Sequence, residues 1–176
     1  FADCGPVRRK GYADRIGESF VGRIREAGFD CIVYHAKRAA EDPRSWRAQL
    51  GDLKRWLASL PKPVGLLAWG STRGRQVTEA CQSAGIRVPE DVAVITGTFD
   101  HVMSKLSSPP LSSVDAPAYQ VGYEAAALLD HLMAGGTPPL DPILIPPTGV
   151  SVRHSSDILS VNDPFVRDAI RFIRDH

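Results

Sequence analysis

Two short apolar runs, Val64–Trp69 and Val92–Ile95, each follow a stretch of helical periodicity after only a few turn residues. A run that is apolar at nearly every position needs cover on both faces. Parallel strands joined by crossover helices provide that cover. The flanking stretches have the right pattern. Ile16, Phe20 and Ile24, with Val21 beside them, line one helix face between Asp14 and the stop at Gly28. Trp46, Leu50, Leu53, Leu57 and Leu60 line a second helix, which Pro61 and Pro63 end. Ser71 or Thr72 can cap a third, carrying Val77, Ala80, Cys81 and Ala84. With Phe1–Cys4 and Cys31–Tyr34 as further strand candidates, the order is β-α-β-α-β-α-β. This predicts an α/β fold: a doubly wound, mostly parallel sheet in a Rossmann-like three-layer αβα arrangement with right-handed crossovers. Ligands of such sheets meet the loops after the strand carboxyl ends. Here those loops are Gly5–Asp14, His35–Arg38, Gly70–Arg73 and Thr96–Ser104.

The second half reads differently. Asp100–Pro110 is loop-like and Leu111–Val114 is a short extended piece. Pro117 opens a helix with Val121, Ala125, Leu128, Leu129 and Leu132, ending at Gly135-Gly136. Ile143–Ile145 and Gly149–Val152 read as short strands around Pro146-Pro147, and His154–Val161 as a linker. Asp163 as N-cap and Pro164 at the first helical position begin a last helix. Its broad apolar face of Phe165, Val166, Ala169, Ile170, Phe172 and Ile173 wants a partner. A helix this short is marginal alone. It is expected to be the first helix of a following domain, and both ends of the chain read as cut from a longer protein.

Chemistry is sparse. A formal net charge of +1 over 176 residues gives no overall electrostatic case for nucleic acid, and 7% aromatics are few for a single-strand stacking platform. The sequence has no stretch long and apolar enough to span a bilayer. The 3 cysteines, Cys4, Cys31 and Cys81, have no metal or redox spacing and read as small buried hydrophobes in a reducing compartment. Dinucleotide, phosphate-loop, zinc-protease and nucleophile-elbow motifs are absent, and no cofactor is expected. Gly70-Ser-Thr-Arg-Gly74 resembles a phosphate loop only loosely, without the lysine. The histidines are scattered without metal spacing. Asp3, Asp14 and Asp100 fall near strand ends, where a carboxylate pair could support glycoside hydrolysis. Arg8-Arg9-Lys10 reads as a solvated loop, whereas Arg73 and Arg75 lie on an opening helical turn, a poor place for cations without an anion nearby. Trp69, at the ligand-side edge, could stack on a sugar face or pack in the core.

Longer segments carry a resemblance. Val-Pro-Glu-Asp-Val-Ala-Val-Ile at 88–95, Pro-Pro-Leu-Ser-Ser-Val-Asp at 109–115, the helix from Gln120 to Met133, and the run from Ile143 to Ser156 resemble the effector domain of lactose-repressor-like regulators over roughly residues 1–156. The continuation from Ile158 to His176 looks like the join, in xylose operon regulator-like transcription factors, to an arabinose-regulator-type helix-turn-helix domain. The resemblance implies a periplasmic-binding-protein-like type I lobe within a cytoplasmic, sugar-responsive, homodimeric regulator without catalytic activity. Its partners would be a monosaccharide effector such as a pentose, operator DNA through a following region, and a second copy of itself. Residues 1–112 would form most of the C-terminal lobe. Residues 113–141 would return to the N-terminal lobe, 142–156 would complete the effector domain, and 157–176 would be linker and first helix of the DNA-binding domain. The family's ligand positions would fall on Ile16, with Arg15 adjacent, on Ser71, and on Thr98 or, with a shift of two, Asp100. Arg15, Trp69, Ser71 and Asp100 are the candidate ligand residues, with Arg15 and Asp100 suited to charge-assisted bonds with hydroxyls. A free-standing periplasmic solute-binding protein, a glycoside-processing enzyme and a lobe that only dimerises are the rival readings.

Overall fold

The computed structural model describes residues 12–35, 43–97, 100–158 and 164–175. The helices are α1 (Tyr12–Glu26), α2 (Pro43–Ser59), α3 (Ser71–Ser83), α4 (His101–Leu106), α5 (Ala118–Met133) and α6 (Pro164–Asp175). The strands are β1 (Val64–Ala68), β2 (Val92–Thr96), β3 (Ser112–Asp115) and β4 (Gly149–Ser151), in the order β1-β2-β3-β4. β1 and β2 run parallel from Val64 opposite Val92 to Ala68 opposite Thr96. β3 continues parallel to β2, and β4 closes the edge antiparallel to β3. The result is the expected open, mostly parallel sheet.

Alternation along the strands assigns the two layers. Leu66, Ala68, Val92 and Val94 point to one side, where they meet Leu53 and Leu57 of α2 and Val77, Ala80 and Cys81 of α3 in a closed core. α3 lies very near the sheet. A Cβ placed on Gly74 would stand 2.6 Å from Thr96 Cγ2 and 3.1 Å from a Leu111 methyl. Gly65, Leu67, Ala93 and Ile95 point to the other side, under Phe20 and Ile24 of α1. That layer is looser and leaves an apolar cavity of about 550 Å³ between α1, the sheet and Trp56. Tyr34 and Trp56 meet near its rim, ring centroids 4.9 Å apart.

Local chemistry fixes the ends of the elements. Lys62 Nζ donates to the carbonyls of Leu57, Ala58 and Leu60 at 3.0, 3.3 and 3.1 Å, where a cation favours a helix C-terminus. In the turn into β2, Arg87 donates to Asp91 through its backbone N–H at 3.0 Å and through its guanidinium at 3.0 and 2.6 Å. This pairing draws the Asp91 carboxyl down to about 2 and raises Arg87. Burial pushes the Cys81 thiol up to about 11, the behaviour of a packing residue.

Several expectations need correction. Cys31–Tyr34 is not a full strand; within it only Tyr34 makes an isolated bridge. Cys31 is half-buried and lines the cavity beneath α1 rather than lying in the core. Ile143–Ile145 forms no ladder, because Pro142, Pro146 and Pro147 around it lack the donors a ladder needs. Asp100–Pro110 is not all loop; it contains α4, with Asp100 as N-cap. Neither Ser71 nor Thr72 caps α3. The N-cap is Gly70, without a side-chain bond, and Ser71 is the first helical residue. The expected strand Phe1–Cys4, the Asp163 cap, Cys4, Asp3, Arg8, Arg9 and Lys10 lie outside the described residues.

Candidate functional site

The carboxyl ends of β1 and β2 are bridged by Gly97, whose N–H donates to the Ala68 carbonyl at 2.8 Å. Gly97 has little room. A Cβ there would stand 3.3 Å from the Trp69 carbonyl oxygen and 3.4 Å from Ile16 Cγ2. The start of α1 therefore sits over the edge where β1 and β2 end. Trp69 follows β1 directly and is half-buried, and Arg15 is exposed beside Ile16 on α1. Ile16, which stands where the resemblance places an arginine, is half-buried and packed against this edge.

Ser71 and Asp100 converge on α4. Ser71 is 5% exposed, and its Oγ lies 3.3 Å from Oγ of the buried Ser104. The exposed Asp100 accepts from the Met103 N–H at 3.0 Å, and its carbonyl accepts from the Ser104 N–H at 2.9 Å. One hydroxyl thus ties α3 to α4, while one carboxylate both starts α4 and faces solvent. Trp69 stands at the ligand-side edge, directly after β1, and Arg15 is exposed next to Ile16 on α1. Thr98 lies outside the described residues.

The two arginines on the first turns of α3 do not form an anion seat. Arg73 is buried and lines a small gap with Gln49, Leu50 and Leu53 of α2, away from the strand ends. Arg75 donates to Glu79 at 2.9 Å one turn along its own helix. The described residues hold no group of three or more histidine, cysteine or carboxylate side chains that could hold a metal, and no helix long and apolar enough to cross a membrane.

Sequence reasoning missed α4 and a dense hydroxyl network behind the site. Ser155 Oγ donates to the Val94 carbonyl at 2.6 Å and accepts from the Ser112 N–H at 2.8 Å. Thr96 Oγ1 donates to the Ser112 carbonyl at 3.2 Å. The paired serines at 112–113 and 155–156 are its trace in the sequence.

Comparison with known proteins gives a consistent set of likenesses. Residues 1–156 match the family model described as periplasmic binding protein-like domain. The xylose operon regulatory protein of Escherichia coli strain K12 is 36% identical over 153 residues, which is 87% of this chain and 38% of that protein. The solved structure of a xylose-binding transcription activator superposes with a TM-score of 0.83 at 33% identity, covering 99% of this chain and 46% of that one. A LacI family transcriptional regulator from an Arthrobacter species, solved in complex with lactose, gives a TM-score of 0.68 at 26% identity over 89% of this chain and 56% of the other. The chain spans 38% of the length of its curated Escherichia coli relative.

Proposed function

The chain belongs to the periplasmic binding protein-like domain family, and from that premise we propose that it is a fragment of the effector region of a sugar-responsive transcription regulator, holding most of one of its two lobes. The likeness to a xylose-binding transcription activator over 99% of the chain carries this reading, because it extends past the effector fold into α6. In this reading residues 1–112 form most of one lobe. Residues 113–141 pass to a second lobe, 142–156 return, and 157–176 lead into a DNA-binding domain. The regulator works in the cytoplasm as a homodimer and binds operator DNA through that domain.

The effector is a monosaccharide, with a pentose as the first candidate. Arg15 and Asp100 are exposed charged groups, on α1 and at the start of α4, and suit charge-assisted bonds to sugar hydroxyls. Trp69 supplies a flat apolar face beside them. Ser71 acts from behind, since its hydroxyl already meets Ser104. Ile16 gives this edge an apolar corner in place of a third charge. No bond is made or broken. The sugar acts by binding one lobe arrangement better than another, since equal affinity would shift nothing.

Calorimetric titration of the intact protein with D-xylose, L-arabinose and D-ribose tests the reading. Saturable binding of one pentose, weakened at least tenfold by Trp69→Ala, is the expected result. Hydrolysis of a nitrophenyl glycoside, abolished by Asp100→Asn, would instead support an enzyme.

A further inference from the structure

A serine hydroxyl has one proton to donate and two lone pairs to accept with. Ser112, fully buried in β3, uses all three. It donates to the Arg153 carbonyl at 3.0 Å and accepts from the Arg153 N–H at 2.8 Å and the Ser156 hydroxyl at 2.7 Å. The Arg153 side chain turns back over the same strand. One guanidinium nitrogen donates to the Leu111 carbonyl at 2.8 Å and to Ser113 Oγ at 3.0 Å. These contacts stand beside the antiparallel pairing of Ser113 with Ser151, Val114 with Val150 and Asp115 with Gly149. At the far end the contacts converge on Asp115, whose carbonyl also accepts from Thr148 Oγ1 at 3.2 Å. Asp115 accepts from Ser151 Oγ at 2.9 Å and from the Thr148 N–H at 2.9 Å, and α5 beyond it has no buried residue.

We infer that Arg153 is a positioning residue that makes β3 and β4 move as a single ribbon. This rests on the reading above, in which these strands are two of the passages between lobes. Two separate strands would each twist on their own and dissipate a displacement arising at the sugar. A ribbon locked at Ser112 and Arg153 transmits it, and the chain then bends beyond Asp115 and Gly149. The link to the candidate site is short: Thr96, bonded to the Ser112 carbonyl, immediately precedes Gly97 at the ligand-side edge. Arginine suits the position because its fork reaches a carbonyl and a hydroxyl together, whereas a lysine ammonium is a single point.

Amide hydrogen exchange on the intact protein without sugar tests the lock, so its outcome does not depend on whether a sugar binds. In the native protein, amides of residues 112–115 and 149–153 should open at a common rate. In Arg153→Met both segments should open about tenfold more often, the scale of losing hydrogen bonds from a charged group, while β1 and β2 keep their rates. Arg153→Lys should fall between the two. Unchanged exchange in both segments would overturn the inference, as would a rise shared by the whole sheet. Should Arg153→Met fail to fold, Ser113→Ala removes one acceptor only. It should give a smaller rise confined to the same segments, and no rise would overturn the inference equally.

Discussion

Gly74 shows how one residue sets the spacing of two layers. Its missing side chain lets α3 approach the sheet at Thr96 and Leu111. Gly74→Ala puts a methyl group 2.6 Å from Thr96 Cγ2, and both neighbours are fully buried. Overpacking of this kind costs about 1–3 kcal/mol, well above the helix-propensity gain from alanine. Denaturant unfolding should show a lower midpoint at unchanged slope, and an equal or higher midpoint would mean that the layers separate freely. Asp91 is a gentler case. Its carboxyl is held near 2 by Arg87, below its ordinary value of 3.8. The stabilisation is thus present above the ordinary value and is lost as pH falls through about 2. The pair is partly exposed, so Asp91→Asn should cost under about 1 kcal/mol at neutral pH. That difference should shrink as pH falls through about 2. A difference that did not shrink there would show that the turn is held by something other than this charge.

At the scale of elements, α4 turns a loop into a platform for α3. Asp100 satisfies the Met103 N–H, and removing such a cap costs about 1 kcal/mol, while asparagine caps nearly as well as aspartate. Asp100→Ala should therefore lower stability by about 1 kcal/mol and Asp100→Asn by little, measured by thermal unfolding. If both variants also lose sugar affinity, the carboxylate charge has a role beyond capping. Legibility varied for reasons of this kind. α2, α3, β1 and β2 could be read because their apolar periodicity is imposed by a core they share. α4 spans only 6 residues, too short to show a period, and its Asp start resembles any turn. Ile143–Ile145 has strand composition, but its prolines withhold the donors. The Ser112–Arg153–Ser155 network joins residues about 40 apart in sequence, and hydroxyl contacts at such range leave no pattern to read. At the candidate site, the strand-end rule located Trp69, Ser71 and Asp100 at one edge, whereas the pairing of Ser71 with Ser104 depended on the unforeseen α4.

The whole molecule is a well-packed core with appendages that bury little. Leu53, Leu57, Val77, Val92 and Val94 are at most 2% exposed, whereas no residue of α5 is buried. Tyr119, Tyr123, Leu129 and Met133 of α5 and Phe165 and Ile173 of α6 are exposed. Exposed apolar surface of this kind is available for packing against a partner. The central claim is that the edge formed by Trp69, Ser71 and Asp100 belongs to a sugar-binding cleft. Calorimetric titration of the intact protein with a pentose panel tests it most directly. The expected result is saturable binding of one pentose that falls at least tenfold in Trp69→Ala and persists in Arg75→Ala, whose side chain is paired on α3 away from that edge. Saturable binding indifferent to Trp69 and Asp100, or no binding by any sugar in the panel, would contradict it.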